Sequence, residues 1–87
     1  MSLGFKLIYH KEAIEFLSKQ EKYVQDRIAL GLKGLLQIPP RGDIKTMKGY
    51  NGLYRLRIGT FRILFEINHV EKLIYILTMD FPGGVYK

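Results

Sequence analysis

The sequence predicts an α+β domain in the order β-α-α-β-β-β-β, with a helical pair packed on one face of a mainly antiparallel, twisted sheet. Three observations lead there. Apolar residues recur every three to four positions from Ala13 to Leu36 and every two positions after Asp43, and Pro39-Pro40 separates the two regimes. Gly59-Thr60 stands between two alternating runs, the signature of a tight hairpin. The chain has 87 residues, which fits one domain over 1–87, so a single core must take nearly every large apolar side chain.

Residues 5–9 read as a short strand with Phe5, Leu7 and Tyr9 on one face and Lys6 and Ile8 on the other. A helix fits residues 11–19, where Ala13, Ile14, Phe16 and Leu17 form an apolar stripe. The second helix covers residues 21–37 through Val24, Ile28, Leu32, Leu35 and Leu36. It stops before Pro39, because the residue preceding a proline avoids the helical region. Gly31 and Gly34 each weaken that helix by about 1 kcal/mol relative to alanine, which points to a close approach of the helix to a neighbour. Residues 43–48 form a short strand and residues 49–52 a turn. Residues 53–58 and 61–68 are the two hairpin strands. Residues 73–79 are mostly apolar and suit a central strand buried on both faces. Phe81-Pro82-Gly83-Gly84 breaks that strand, and Val85-Tyr86-Lys87 is a tail.

Lys and Arg number 14 against 8 Asp and Glu, a net charge of +6. Between Arg41 and Arg62 lie six cations (Arg41, Lys45, Lys48, Arg55, Arg57 and Arg62) and one acid, Asp43, a net of +5. A quarter of the chain thus holds most of the excess, and such a focus attracts a polyanion or an acidic protein. The absence of cysteine excludes a disulfide framework, a thiolate metal site and a cysteine nucleophile. His10 and His69 lack ligand spacing, so no metal and no cofactor are expected. No apolar run reaches the roughly 18–20 residues that span a bilayer, and no signal-peptide pattern opens the chain. The expectation is a cytoplasmic domain with no membrane contact.

Alternation in the hairpin places Leu53, Arg55 and Arg57 on one side of the first strand, opposite Tyr54, Leu56 and Ile58. In the second strand Arg62, Leu64 and Glu66 oppose Phe61, Ile63, Phe65 and Ile67. The tight turn then brings Arg55, Arg57 and Arg62 to the face that the core does not use. Such a face is either a solvated surface with weak ion pairs to Glu66 or a phosphate site. Arginine favours the second use, since its planar fork of donors matches phosphate oxygens two at a time. Lys45 and Lys48 extend the phosphate-contacting rim, which the family resemblance below makes an RNA-binding one. Asp43, Glu66 and Asp80 show no paired-carboxylate arrangement, and no general base stands out. Tyr9, Tyr50, Tyr54 and Tyr75 read as core or core-edge aromatics, and His10 and His69 as surface residues.

The run Met47-Lys48-Gly49-Tyr50-Asn51-Gly52-Leu53-Tyr54-Arg55-Leu56-Arg57-Ile58-Gly59-Thr60-Phe61-Arg62-Ile63-Leu64-Phe65 resembles the central segment of the RelE/ParE superfamily of toxin–antitoxin toxins. The family pattern there is Lys-Gly, a variable turn, Tyr-Arg-(Ile/Leu)-Arg, then Gly-x-(Tyr/Phe)-Arg-(Ile/Leu). The helical hairpin and the terminal Val85-Tyr86-Lys87 extend the resemblance over nearly the whole chain. It implies a RelE-like fold and, for RelE-type members, a ribosome-dependent endoribonuclease that cuts mRNA by attack of a ribose 2′-hydroxyl on the adjacent phosphate. Carried over by position, Arg55 and Arg57 match the basic pair lining the cleft, Arg62 the arginine at the scissile phosphate, and Tyr86 the C-terminal tyrosine. The implied partners are the ribosome, its mRNA and an acidic, partly disordered antitoxin. Many members carry a second arginine in Asp-(Ser/His)-Arg-x-Asp-(Val/Ile)-Tyr, where this chain reads Asp80-Phe81-Pro82-Gly83-Gly84-Val85-Tyr86. Pro82 cannot supply a guanidinium, which implies weakened cleavage. The alternative within the superfamily is a ParE-like inhibitor of DNA gyrase that acts by protein binding; such members usually lack the basic set.

Overall fold

The computed structural model describes residues 4–81, so Pro82 and Tyr86 lie outside the described residues. The elements are β1 (Lys6–Tyr9), α1 (Lys11–Ser18), α2 (Lys22–Lys33), a 3-10 turn (Gly34–Leu36), β2 (Asp43–Thr46), β3 (Leu53–Ile58), β4 (Phe61–Asn68) and β5 (Leu73–Asp80). The five strands form one sheet in the order β1-β5-β4-β3-β2. All neighbours are antiparallel except β1 and β5, which run parallel.

The helical pair covers one face. Ala13 of α1, Ile28 and Leu32 of α2 and Leu35 of the 3-10 turn meet Leu56, Ile63, Phe65, Ile74, Ile76 and Met79 of the sheet in one core cluster. The amide of His10 donates to the Ile76 carbonyl at 2.9 Å, which ties the entry to α1 onto β5. The amide nitrogen of the Gln25 side chain donates to the Leu17 carbonyl at 2.7 Å. That bond links the two helices at a carbonyl that also accepts from the Gln20 amide at 3.0 Å. Burial raises the pKa of the Tyr9 hydroxyl, so this ring stays neutral at the core edge.

Three local expectations are corrected. Ile14 is exposed, because the sheet takes the stripe from its Ala13 edge and turns Ile14 outward. The second helix ends at Lys33, and the remaining turn tightens to 3-10. There the Gly34 carbonyl accepts from the Arg41 amide at 2.8 Å, which folds the proline segment back against the helix end. β5 is an inner strand, but only Ile74, Ile76 and Met79 are buried; Leu73, Tyr75, Leu77 and Thr78 are half-buried, since the helices cover a single face.

β5 also carries a bulge. Its pairing with β4 steps from Phe65↔Ile76 to Leu64↔Thr78, leaving Leu77 as the extra residue. Strict alternation from Ile74 and Ile76 would have sent Thr78 and Asp80 into the core. The extra residue resets the phase, so Met79 goes inward and Asp80 goes to the open face.

Gly31 shows what the close approach is for. A Cβ built there would collide with Cδ1 and Cγ1 of Ile58 on β3. Gly31→Val is therefore expected to cost about 1–3 kcal/mol through overpacking, read as a lower denaturant midpoint at an unchanged slope.

Candidate nucleic-acid interface

The face opposite the helices is built by strand register. Asp43 of β2 pairs with Arg57 of β3, Arg57 with Arg62 of β4, and Arg62 with Asp80 of β5. One row across four strands thus reads acid, arginine, arginine, acid. The next row runs Lys45, Arg55, Leu64 and Thr78. Two like charges directly opposite each other on a sheet repel, and the flanking acids offset that repulsion. The Nε–H of Arg57 donates to Asp43 Oδ2 at 3.1 Å, and the Nε–H of Arg62 donates to Asp80 Oδ1 at 3.2 Å. Glu66, the acid expected to pair with the arginines, sits farther along β4 opposite Leu53 and Tyr75.

The three arginines differ in surroundings. The Arg57 side chain is half exposed (51%), whereas those of Arg55 and Arg62 are mostly enclosed (21% and 26%). Arg55 and Arg62 line one cavity of about 170 Å³, together with Met47, Leu64 and Asp80. Nε and Nη2 of Arg55 are buried and have no hydrogen-bond partner among the described residues. The nearest carboxylate oxygen, Asp43 Oδ1, is 3.9 Å from Nη2, close enough for charge attraction but too far for a hydrogen bond. These two nitrogens form the side-on fork of a guanidinium, the pair that grips an oxyanion with two parallel bonds. Buried donors without partners are costly, and an oxyanion that displaced the side chains covering them would satisfy both.

Of the remaining sequence candidates, Lys45 lies in register with Arg55, and Lys48 sits in the turn after β2, away from the cavity wall. Tyr86 lies outside the described residues. The structure adds Met47 and Asp80. The Met47 amide bonds to the Leu53 carbonyl at 2.9 Å, which holds that side chain at the rim. No residue-type signal marks Met47, and the signal for Asp80 is hidden by the bulge. Behind Asp80, Phe81 packs on Phe61 and Phe16 with ring centroids 4.8 and 5.4 Å apart, which anchors the end of β5 against the helical side. Among the described residues no three His, Asp or Glu side chains are placed to hold a metal ion, and no helix is long and apolar enough to cross a membrane.

This fold, a small sheet backed by a helical hairpin, recurs in solved RelE toxins. Residues 7–79 match the family described as the ParE toxin of the type II toxin–antitoxin system, parDE. A Methanocaldococcus jannaschii protein provisionally named as toxin RelE1 is 38% identical over 45 residues, covering 52% of this chain. That match spans half the length of the relative. The archaeal RelE–RelB complex from Pyrococcus horikoshii OT3 contains a chain with the same fold, at TM-score 0.76 and 24% identity over 93% of this chain and 98% of that one. The isolated Escherichia coli RelE toxin shares the fold at TM-score 0.75 and 13% identity, over 88% of this chain and 83% of that one. The chain belongs to the RelE/ParE family of type II toxin–antitoxin toxins.

Proposed function

We propose that this toxin is a ribosome-dependent endoribonuclease that cleaves mRNA, with Arg55 and Arg62 as the residues that hold the scissile phosphate. The observation that carries the reading is that Arg55, whose Nε and Nη2 have no hydrogen-bond partner among the described residues, lines one cavity with Arg62. Negative charge grows on the phosphate oxygens as the 2′-hydroxyl attacks, and fixed donors aimed there stabilise the transition state more than the ground state. Arg57 and Lys45, more exposed, extend the contact to neighbouring phosphates. Tyr86 would stack on an unpaired base or offer its hydroxyl. The partner that silences the toxin is an acidic antitoxin segment covering the basic face, in keeping with structural neighbours that are RelE–RelB complexes. The setting is the cytoplasm, where ribosomes and message meet.

A second reading, protein-mediated inhibition of DNA gyrase, draws on the match to the ParE toxin family. One experiment separates the two. Primer-extension mapping of mRNA in cells expressing the chain is expected to show new ends inside translated codons. DNA breaks with intact mRNA would overturn the nuclease reading in favour of gyrase.

A further inference from the structure

We infer that Asp80 is the proton acceptor of the cleavage step, an inference that rests on the mRNA-cleaving reading. Its carboxylate shares the cavity with Arg55 and Arg62. One oxygen, Oδ1, accepts the Nε–H of Arg62 at 3.2 Å. The other, Oδ2, has no hydrogen-bond partner among the described residues. A carboxylate in an anion site repels the phosphate it must admit, and beyond offsetting the charge of Arg62 it is free to serve the reaction through its second oxygen. The bulge at Leu77 is what brings it there, and the Phe16–Phe61–Phe81 cluster keeps it there.

With the scissile phosphate on Arg55 and Arg62, the attacking ribose hydroxyl belongs to the nucleotide on the 5′ side, bonded through its own 3′-oxygen to that phosphorus. A base on the cavity wall, fixed to one of the phosphate-binding arginines, is placed for that hydroxyl. Asp80 Oδ2 takes the 2′-hydroxyl proton as the O2′–P bond forms. The P–O5′ bond breaks, and the departing 5′-oxygen takes a proton from solvent water. The products are a 2′,3′-cyclic phosphate and a 5′-hydroxyl, and the protonated Asp80 returns its proton to water. No electron leaves or enters the system.

Asp80→Asn distinguishes a base from a residue that only holds Arg62. The amide oxygen still accepts the Arg62 Nε–H at nearly the same volume, but the side chain can no longer take a proton. The test uses the full chain on programmed ribosomes, with single-turnover cleavage and toxin affinity for the programmed ribosome both measured, for wild type, Asp80→Asn and Asp80→Glu. Cleavage by Asp80→Asn is expected to fall by about 10²–10⁴-fold, the range general-base catalysis supplies. Affinity should stay level or tighten, because a negative charge has left the phosphate site. Asp80→Glu, which keeps a carboxylate, should cleave faster than Asp80→Asn. Cleavage by Asp80→Asn at the wild-type rate would overturn the proton role and leave the mRNA reading standing. A parallel loss of rate and affinity would also overturn it, by showing that Asp80 acts through the position of Arg62. Uncut mRNA with wild type would instead bring down the mRNA reading, and this inference with it.

Discussion

Arg55→Met is expected to cut mRNA at least about a hundredfold more slowly than wild type, the cost of losing one fixed donor at a developing oxyanion, and yet to unfold less readily. The stability gain comes from the same two atoms. Nε and Nη2 of Arg55 are stripped of water with no partner in return, a debt of about 1–3 kcal/mol for a buried unsatisfied group. Methionine follows the path of the arginine stem, fills the space beside Leu64 and Met47, and carries no such donors. Asp43 is not orphaned by the change, since its other oxygen stays bonded to Arg57. A urea unfolding midpoint above wild type, together with slow single-turnover cleavage, is the expected pair of results. A lower midpoint would mean that Arg55 holds the fold instead of waiting for a ligand. Arg57→Met makes the contrast: that side chain is half exposed and already bonded to Asp43, so its removal should change stability by no more than about 1 kcal/mol.

Phe65→Ala carries the largest expected loss of stability, about 3–5 kcal/mol. The ring is fully buried and stacks on Tyr54 with centroids 5.4 Å apart and planes 19° from parallel. A domain this small has a thin margin within the usual range of about 5–15 kcal/mol, so one such cavity can consume most of it. Thermal or urea unfolding of the purified variant reads the loss directly. The neighbouring residue, Leu64, points the other way and lines the arginine cavity. Core and site are therefore one residue apart on the same strand, and a defect on one side is transmitted to the other by the strand itself.

The hairpin was legible because everything that defines it is local. Period-two alternation sorts Arg55, Arg57 and Arg62 onto one face. Gly59 has a positive φ of 60° at the first position of a two-residue turn, the place where glycine is favoured. The turn then forces Arg57 opposite Arg62. What could not be read was decided between distant segments. An all-apolar run from Leu73 to Leu77 has no residue that announces a bulge, so the orientation of Asp80 depends on which β4 residue it pairs with. Glu66 has the right charge and the right face to serve the arginines, but register sets it opposite Leu53 and Tyr75. The stripe of α1 is wide enough to meet the sheet along either edge, and only the placement of the helix on β5 turns Ile14 out. Met47 reaches the cavity through a backbone bond to Leu53 that its own sequence neighbourhood does not specify.

The parallel pairing of β1 with β5 has a consequence for how the molecule comes into being. Among the described residues β1 finds its ladder on β5 alone, the strand farthest from it along the chain. Contacts of such long sequence separation are slow to form, because chain entropy must be lost before they are rewarded. While the polypeptide is being synthesised, the first strand and both helices emerge with no sheet to rest on. The row from Asp43 to Asp80 cannot be completed until its last member leaves the ribosome. A chain interrupted before β5 therefore lacks one wall of the cavity as well as the support for its own N-terminal strand. Such a chain is expected to lack both the cavity and the basic-acidic row that runs across the sheet.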